Sequence, residues 1–349
     1  MSTGIHWGII GTGSIAHRFA KGLAESQTGT LLAVGSRTQE AADTFGETWR
    51  VPHRHGSYEA LLRDKEVQAV YISTPHPWHA KWAIAAAEAG KHILCEKPIA
   101  LNYAETLAIV EAARRNDVFL MEAFMYRCHP QTTRLVELVR TGVIGQVRVI
   151  QATFSFDVGE GYNPQGRLLN NTLGGGGILD VGCYCASIAR LLAGAALGQP
   201  FANPLTVVGT GSVGETRVDE YAVASLLFPK QIVAELLTGV RVNAGSKVRI
   251  LGSEGSISLS SPFTPGAGES RGICVKRDGE PEEQISLAEA DLDLYALEAE
   301  AVAQYIEKRQ APAMSWEDTL GNMRTLDQWR AALGVVYDAE ISTRDVFSA

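Results

Sequence analysis

Three short groups of residues in this chain carry the means for redox chemistry at an alcohol or carbonyl carbon. The first is Gly11-Thr12-Gly13-Ser14-Ile15-Ala16, which follows the apolar run Ile5-His6-Trp7-Gly8-Ile9-Ile10 and opens a helix-like segment. Gly11 permits a tight turn, Gly13 lets the backbone approach a pyrophosphate, and the small Ala16 allows close helix-strand packing while the helix N-terminus faces the negative charge. The second is Leu94-Cys95-Glu96-Lys97-Pro98. Pro98 confines the backbone of Lys97 to extended or bridging conformations, which sends the ammonium off the end of the strand, where it can hold the charge of a developing alkoxide. Glu96 beside it sets its position. The third is Gly174-Gly175-Gly176-Gly177-Ile178-Leu179-Asp180-Val181-Gly182-Cys183-Tyr184, in which Asp180 and Tyr184 share one face of a helix by their i, i+4 spacing. Tyr184 can exchange a proton with a carbinol oxygen, helped by the charge of Lys97, while Asp180 orients the substrate. A core tyrosine beside a locally paired aspartate gives the same spacing, so the weight rests on the three groups together.

The elements that must position these groups alternate through the first part of the chain. Strand-like segments at 5–10, 31–35, 68–73, 92–95 and 118–121 are separated by helix-like segments at 14–25, 39–46, 58–64, 78–90 and 101–116. That alternation predicts a doubly wound parallel sheet of the Rossmann type over residues 1–124. Residues 125–349 read differently, with strands at 146–157, 206–212, 221–228, 232–242, 247–250, 256–259 and 273–276, one helix near 178–193, and two more near 290–309 and 315–333. Strands in direct succession predict an α+β domain built on a large, mostly antiparallel open sheet. The fold class is therefore α/β followed by α+β.

Further residues fall at the ligand edge of the first sheet. At the end of the second strand, Val34-Gly35-Ser36-Arg37-Thr38 offers no acidic residue to a ribose 2'-hydroxyl. Ser36 and the guanidinium of Arg37 suit a 2'-phosphate instead, which favours NADP(H) over NAD(H). Thr74 and Pro75, after the third strand, are placed to line the cofactor, and His79 to orient the next helix, a structural role in preference to a catalytic one. Arg127, Phe154 and Tyr162 are weaker candidates for the substrate wall, and sheet packing accounts for Phe154 equally well.

Composition narrows the field. A formal net charge of -8 with no basic stripe argues against nucleic acid. No apolar run reaches about 18 residues, which argues against a membrane span, and with no secretory signal evident the expectation is a cytoplasmic protein. The cysteines at 95, 128, 183, 185 and 274 are expected as free thiols. No metal is expected: residues two apart, such as Cys183 and Cys185, point away from each other on a helix, and His53/His55 and His76/His79 read as loop histidines without zinc-site spacing.

With the Gly11–Ala16 turn, the Glu96-Lys97-Pro98 triplet and the Gly174–Tyr184 segment in this order, the chain resembles the glucose-fructose oxidoreductase, inositol dehydrogenase and rhizopine-catabolism (Gfo/Idh/MocA) family over nearly its full length. Much of that family carries a histidine where Tyr184 stands. The tyrosine, with Met121-Glu122-Ala123-Phe124-Met125-Tyr126-Arg127, is similar to the branch that holds dimeric dihydrodiol dehydrogenase and NADP-dependent aldose dehydrogenases. The resemblance implies hydride transfer between NADP(H) and a monosaccharide or cyclic polyol, with Lys97, Asp180 and Tyr184 as catalytic residues. Gly11, Thr12, Gly13, Ser14, Ile15, Ser36, Arg37, Thr74, Pro75, His79, Glu96 and Lys97 would lie around the cofactor. It also implies a homodimer or homotetramer formed through the second sheet. A ketoreductase for a nucleotide-linked deoxysugar would use the same residues in reverse, a non-catalytic NADP(H) sensor would use only the first domain, and a glycosidase with bound NAD fits Arg37 and Tyr184 less well.

Overall fold

The apolar run Ile5–Ile10 forms the middle strand (β1) of a parallel sheet in the computed structural model, which describes residues 4–265, 272–287 and 293–343. Around it lie β2 (Gly29–Gly35), β3 (His53–His55), β4 (Ala69–Ile72), β5 (His92–Glu96) and β6 (Leu120–Ala123), in the order β3-β2-β1-β4-β5-β6. Every neighbouring pair is parallel. This is the Rossmann order, and it reverses direction between β1 and β4, where ligands bind beyond the strand ends. Helices α1 (Ser14–Leu23), α2 (Gln39–Trp49), α3 (Tyr58–Leu62), α4 (His79–Glu88) and α5 (Tyr103–Arg115) intervene in sequence. Thr38 and Ser57 cap α2 and α3 by accepting from the Ala41 and Ala60 amides at 3.3 and 3.1 Å, about 1 kcal/mol each. Inside, Phe19 of α1 stacks on Tyr71 of β4 with ring centroids 3.9 Å apart and meets Trp7 edge-on at 5.3 Å, which fixes the helix carrying the glycine turn against the sheet.

The second body is built on α6 (Pro130–Arg140), α7 (Cys183–Ala196) and eight strands: β7 (Val147–Asp157), β8 (Thr206–Val213), β9 (Asp219–Leu227), β10 (Val233–Gly239), β11 (Arg241–Gly252), β12 (Gly255–Leu259), β13 (Ile273–Arg277) and β14 (Glu283–Ile285). Their order is β14-β13-β12-β11-β7-β10-β9-β8, with β7 and β10 parallel and the other neighbours antiparallel. The stretch expected as one strand at 232–242 breaks after Gly239, because β10 pairs with β9 while β11 crosses to pair with β7. Helix α6 has no counterpart among the expected elements. The stretch Asn171–Ala196 is long and apolar enough to cross a membrane, but its most apolar 18 residues are wholly buried, as in a core helix of a folded body. All five cysteines are free thiols, with Cys95, Cys183 and Cys185 buried.

By its contacts the chain divides into two units. The first takes the described residues of Met1–Ala100, Ala104–Cys128 and Leu292–Thr319, and the second those of Leu101–Tyr103, His129–Asp291 and Leu320–Ala349. Helix α8 (Leu294–Tyr305) thus belongs with the parallel sheet. Its Glu300 accepts from the Ser26 hydroxyl at 2.7 Å, the Gln27 amide at 2.8 Å and the Thr28 hydroxyl at 2.9 Å, which ties the helix to the turn before β2. Those bonds hold the Glu300 carboxyl below its ordinary range although burial pushes it up. Helices α9 (Trp316–Leu333) and α10 (Asp338–Thr343) close the chain.

Candidate active site

The glycine turn of the first unit is shaped by steric exclusion on one side and open space on the other. Gly11 has φ +106, and a Cβ there would lie 2.9 Å from the Ser73 hydroxyl, so glycine is required. A Cβ on Gly13 would meet nothing within 4 Å. Gly13 is also the N-cap of α1 and supplies no side-chain cap, which leaves the first-turn amides facing that open space, as an anion site needs. Ala16 is fully buried against the sheet. Thr12 Oγ1 lies 3.2 Å from Ser36 Oγ, and the Ser36 amide donates to the His55 carbonyl at 3.0 Å. Beside them Arg37 is exposed and, among the described residues, has no carboxylate partner. Its charge partly offsets the effect of burial, which pushes the Tyr58 phenol up.

Across the switch point, Thr74 is buried and its Oγ1 has no hydrogen-bond partner among the described residues. An orphaned buried hydroxyl at a strand end is what a bound cofactor would satisfy. With the open turn and uncapped amides, it makes this edge fit a dinucleotide. His79 is wholly buried, with Nδ1 2.9 Å from the Pro98 carbonyl and Nε2 2.6 Å from the Thr74 carbonyl. Burial pulls its pKa down to about 4 against the raising effect of these two contacts, and a neutral ring donates to only one of the two carbonyls. Glu96 is buried too: Oε1 accepts the Tyr71 hydroxyl and Oε2 accepts the Lys97 amide at 3.2 Å. The carboxylate therefore fixes the backbone of Lys97, whose peptide to Pro98 is cis. Arg127 lies in the interior of this unit instead of on an open wall, paired with Asp318 and donating from Nε to the Ala313 carbonyl at 2.9 Å.

In the second unit the start of the expected helix is a π-helical turn, Ile178–Gly182, that leads into α7. It bonds to the sheet beneath. The Thr238 hydroxyl donates to the Gly177 carbonyl at 3.0 Å, and the Ile178 amide donates to the buried Asp219 Oδ2 at 2.7 Å. Asp219 thereby caps an amide that the first turn leaves unpaired, while Thr238 competes for the Gly177 carbonyl, a substitution in the ladder that accompanies the wider turn. Asp180 sits in the π turn and Tyr184 at the start of α7, so the regular-helix argument for their common face is replaced by this wider turn. Arg167 Nη1 donates to Asp180 Oδ1 at 2.7 Å from a half-exposed side chain. Tyr184 is 4% exposed and lies among Phe154, at 5.4 Å between centroids, and Phe263, at 5.3 Å. Phe154 and Phe263 stack on each other at 5.1 Å. Tyr162 is exposed and carries the Arg241 guanidinium 4.7 Å over its ring. Arg167, Asp219, Thr238 and Phe263 escaped the sequence reading. Only Phe263, between Pro262 and Pro265, offered a signal.

A Rossmann sheet with an open, uncapped glycine turn, followed by a mostly antiparallel sheet that carries a buried Asp/Tyr turn, defines a nicotinamide-dependent oxidoreductase. The comparisons agree. Residues 5–124 match the model of the oxidoreductase family with an NAD-binding Rossmann fold, and residues 132–258 match the GFO/IDH/MocA C-terminal domain. The chain belongs to the GFO/IDH/MocA oxidoreductase family. It is 32% identical to D-xylose 1-dehydrogenase (NADP(+)) 2 of Haloferax volcanii over 92% of this chain and 95% of that protein. It is 30% identical to trans-1,2-dihydrobenzene-1,2-diol dehydrogenase of Danio rerio, covering 96% and 99%. Among solved structures, a 3-ketoreductase from Actinomadura kijaniata in complex with NADP and TDP-benzene is similar with a TM-score of 0.82 and 28% identity, over 95% of this chain and 98% of the other.

Proposed function

We propose that the chain is an NADP(H)-dependent oxidoreductase that interconverts a secondary alcohol or sugar hemiacetal with its carbonyl or lactone, on a monosaccharide or related cyclic polyol. The observation that carries this reading is Tyr184: a buried phenol among Phe154 and Phe263, just after a π turn in which Arg167 holds Asp180. A phenol with an aromatic wall and a carboxylate one turn away suits a sugar ring, which presents a flat C–H face and a rim of hydroxyls.

Bound NADP(H) supplies the acceptor or donor of hydride. The Gly11–Ile15 turn would hold the pyrophosphate through the amides of Thr12, Gly13, Ser14 and Ile15, since the Gly11 amide donates to the Gly35 carbonyl at 3.0 Å, and Ser36 and Arg37 would hold the 2'-phosphate. Thr74 and Pro75 line the cofactor, while His79 and Glu96 hold the backbone around Lys97. In the oxidative direction Tyr184 takes the hydroxyl proton and the Lys97 ammonium stabilises the charge that develops on that oxygen. Asp180 accepts from a neighbouring hydroxyl and orients the ring. On the second sheet, Val208, Tyr221 and Val223 are 62%, 45% and 41% exposed, in alternation with buried Ala222 and Ala224; this apolar face supports self-association as a dimer or tetramer.

A second reading, reduction of a ketone on a nucleotide-linked deoxysugar, draws support from the likeness to the Actinomadura kijaniata ketoreductase. The test is initial-rate absorbance with NADP+ and NAD+ across aldoses, inositols and a trans-dihydrodiol, and with NADPH against a nucleotide-linked keto sugar. Saturable NADP+ reduction by one sugar class supports the first reading, and NADPH oxidation by the keto sugar alone supports the second. Tight NADP(H) binding with no turnover in either direction would leave only a cofactor sensor.

A further inference from the structure

The histidines His53 and His55 do not lie in a loop. They occupy the two ends of β3 and, by strand alternation, share one face. Both rings turn toward Asp64, two residues beyond the end of α3. His53 Nδ1 is 2.7 Å from Asp64 Oδ2, and His55 Nε2 is 3.1 Å from the same oxygen. The three potential ligand atoms lie within 4.8 Å of one another, and the two imidazoles stand at 87° so that their lone pairs converge from different planes.

From this geometry we propose that His53, His55 and Asp64 form a binding site for one divalent transition-metal ion of the Zn2+ class, with its remaining coordination positions open to water. Two imidazole nitrogens and one carboxylate oxygen are the donor set of an open zinc site. Such a mixture favours Zn2+, Co2+ or Ni2+ over Mg2+ and Ca2+, which require oxygen ligands. At metal-ligand distances of about 2.0–2.2 Å, tetrahedral geometry places neighbouring ligand atoms about 3.3 Å apart. The His53 and His55 contacts to Asp64 Oδ2, 2.7 and 3.1 Å, would open by about 0.6 and about 0.2 Å as the ion replaces the protons between nitrogen and oxygen.

The surroundings hold the carboxylate ready. Asp64 Oδ1 accepts from the Glu66 amide at 3.0 Å. Lys91 is a cation that bears on this site, as its charge acts on Asp64. Its ammonium is engaged by the Asp64 and Val67 backbone carbonyls at 2.6 and 2.7 Å, which leaves the carboxylate to the ion. The side chains of His53 and His55 are 29% and 23% exposed, enough for an ion to enter without unfolding the edge of the sheet. The proposal requires none of the catalytic residues named above.

The test is equilibrium dialysis of the full chain against Zn2+, with Co2+ visible absorption as a second reading of coordination. The expected result is one equivalent bound, Co2+ bands typical of low coordination, and no displacement by excess Mg2+. Asp64→Asn and His55→Gln should each weaken binding at least about tenfold. These near-isosteric variants are checked for folding by circular dichroism and denaturant unfolding. His53→Gln serves as the third probe should either of them fail to fold. Absence of Zn2+ binding in the wild type, or binding equally tight in the folded variants, would overturn the proposal.

Discussion

The buried carboxyl that anchors the π turn gives the structure its clearest pH signature. Asp219 is fully buried, and burial pushes its pKa from 3.8 to about 7, against the lowering effect of the Ile178 amide bond. The native state therefore holds a proton over a range in which the unfolded chain has released it. Stability from this group is fully present below the unfolded value and is lost as pH rises through about 7. The gap of about 3 pH units corresponds to about 4 kcal/mol between the extremes, and linkage assigns about 2–3 kcal/mol of it to the span from about pH 5 to about pH 8. Asp219→Asn keeps an acceptor for the Ile178 amide but cannot ionise. Denaturant unfolding of both proteins at the two pH values measures the effect as a double difference, in which other buried acids such as Glu298 cancel. The wild type should lose about 2–3 kcal/mol more than the variant over that span. An identical pH dependence in the two proteins would refute the reasoning.

Other expectations follow from single contacts. Gly13→Asp has room for its side chain, since a Cβ there meets nothing within 4 Å and φ is -77; stability measured by denaturant should change by less than about 0.5 kcal/mol, while a carboxylate facing the anion site weakens NADP(H) binding in a fluorescence titration. Arg127→Ala strands the buried Asp318 carboxylate and should cost about 3–5 kcal/mol in unfolding free energy. Arg37→Ala should raise the KM for NADP+ by about tenfold, the scale of one charge-assisted hydrogen bond, and leave that for NAD+ unchanged in steady-state assays.

Local pattern carried most of the first unit. Apolar runs such as Ile5–Ile10 and Ala69–Ile72 have no choice but to be buried strands, and the glycine turn advertises itself through its flanks. Helix α6 was legible in principle, because Pro130 at its first position and the His129 cap, which accepts the Gln131 amide at 3.1 Å, are ordinary start signals. What was hidden depends on partners distant in sequence. The π turn is bonded by Thr238, 61 residues beyond Gly177, and Arg127 is drawn inward by Asp318, 191 residues away. Helix α8 joins the parallel sheet through Glu300, whose partners Ser26 and Thr28 lie 274 and 272 residues earlier. The pairing of His53 and His55 with Asp64 is short in sequence, yet a three-residue edge strand leaves too little periodicity to detect.

The central claim is that Tyr184 exchanges the proton with the sugar hydroxyl while Lys97 steadies the charge, apart from cofactor binding. The most direct measurement is kcat for Tyr184→Phe and Lys97→Ala on whichever sugar reduces NADP+, with NADP(H) affinity determined on the same samples. The account predicts a fall in kcat of at least about 10²-fold in each variant, the lower range for a positioned acid/base or electrostatic group, with cofactor affinity nearly unchanged. Wild-type turnover in either variant would contradict it.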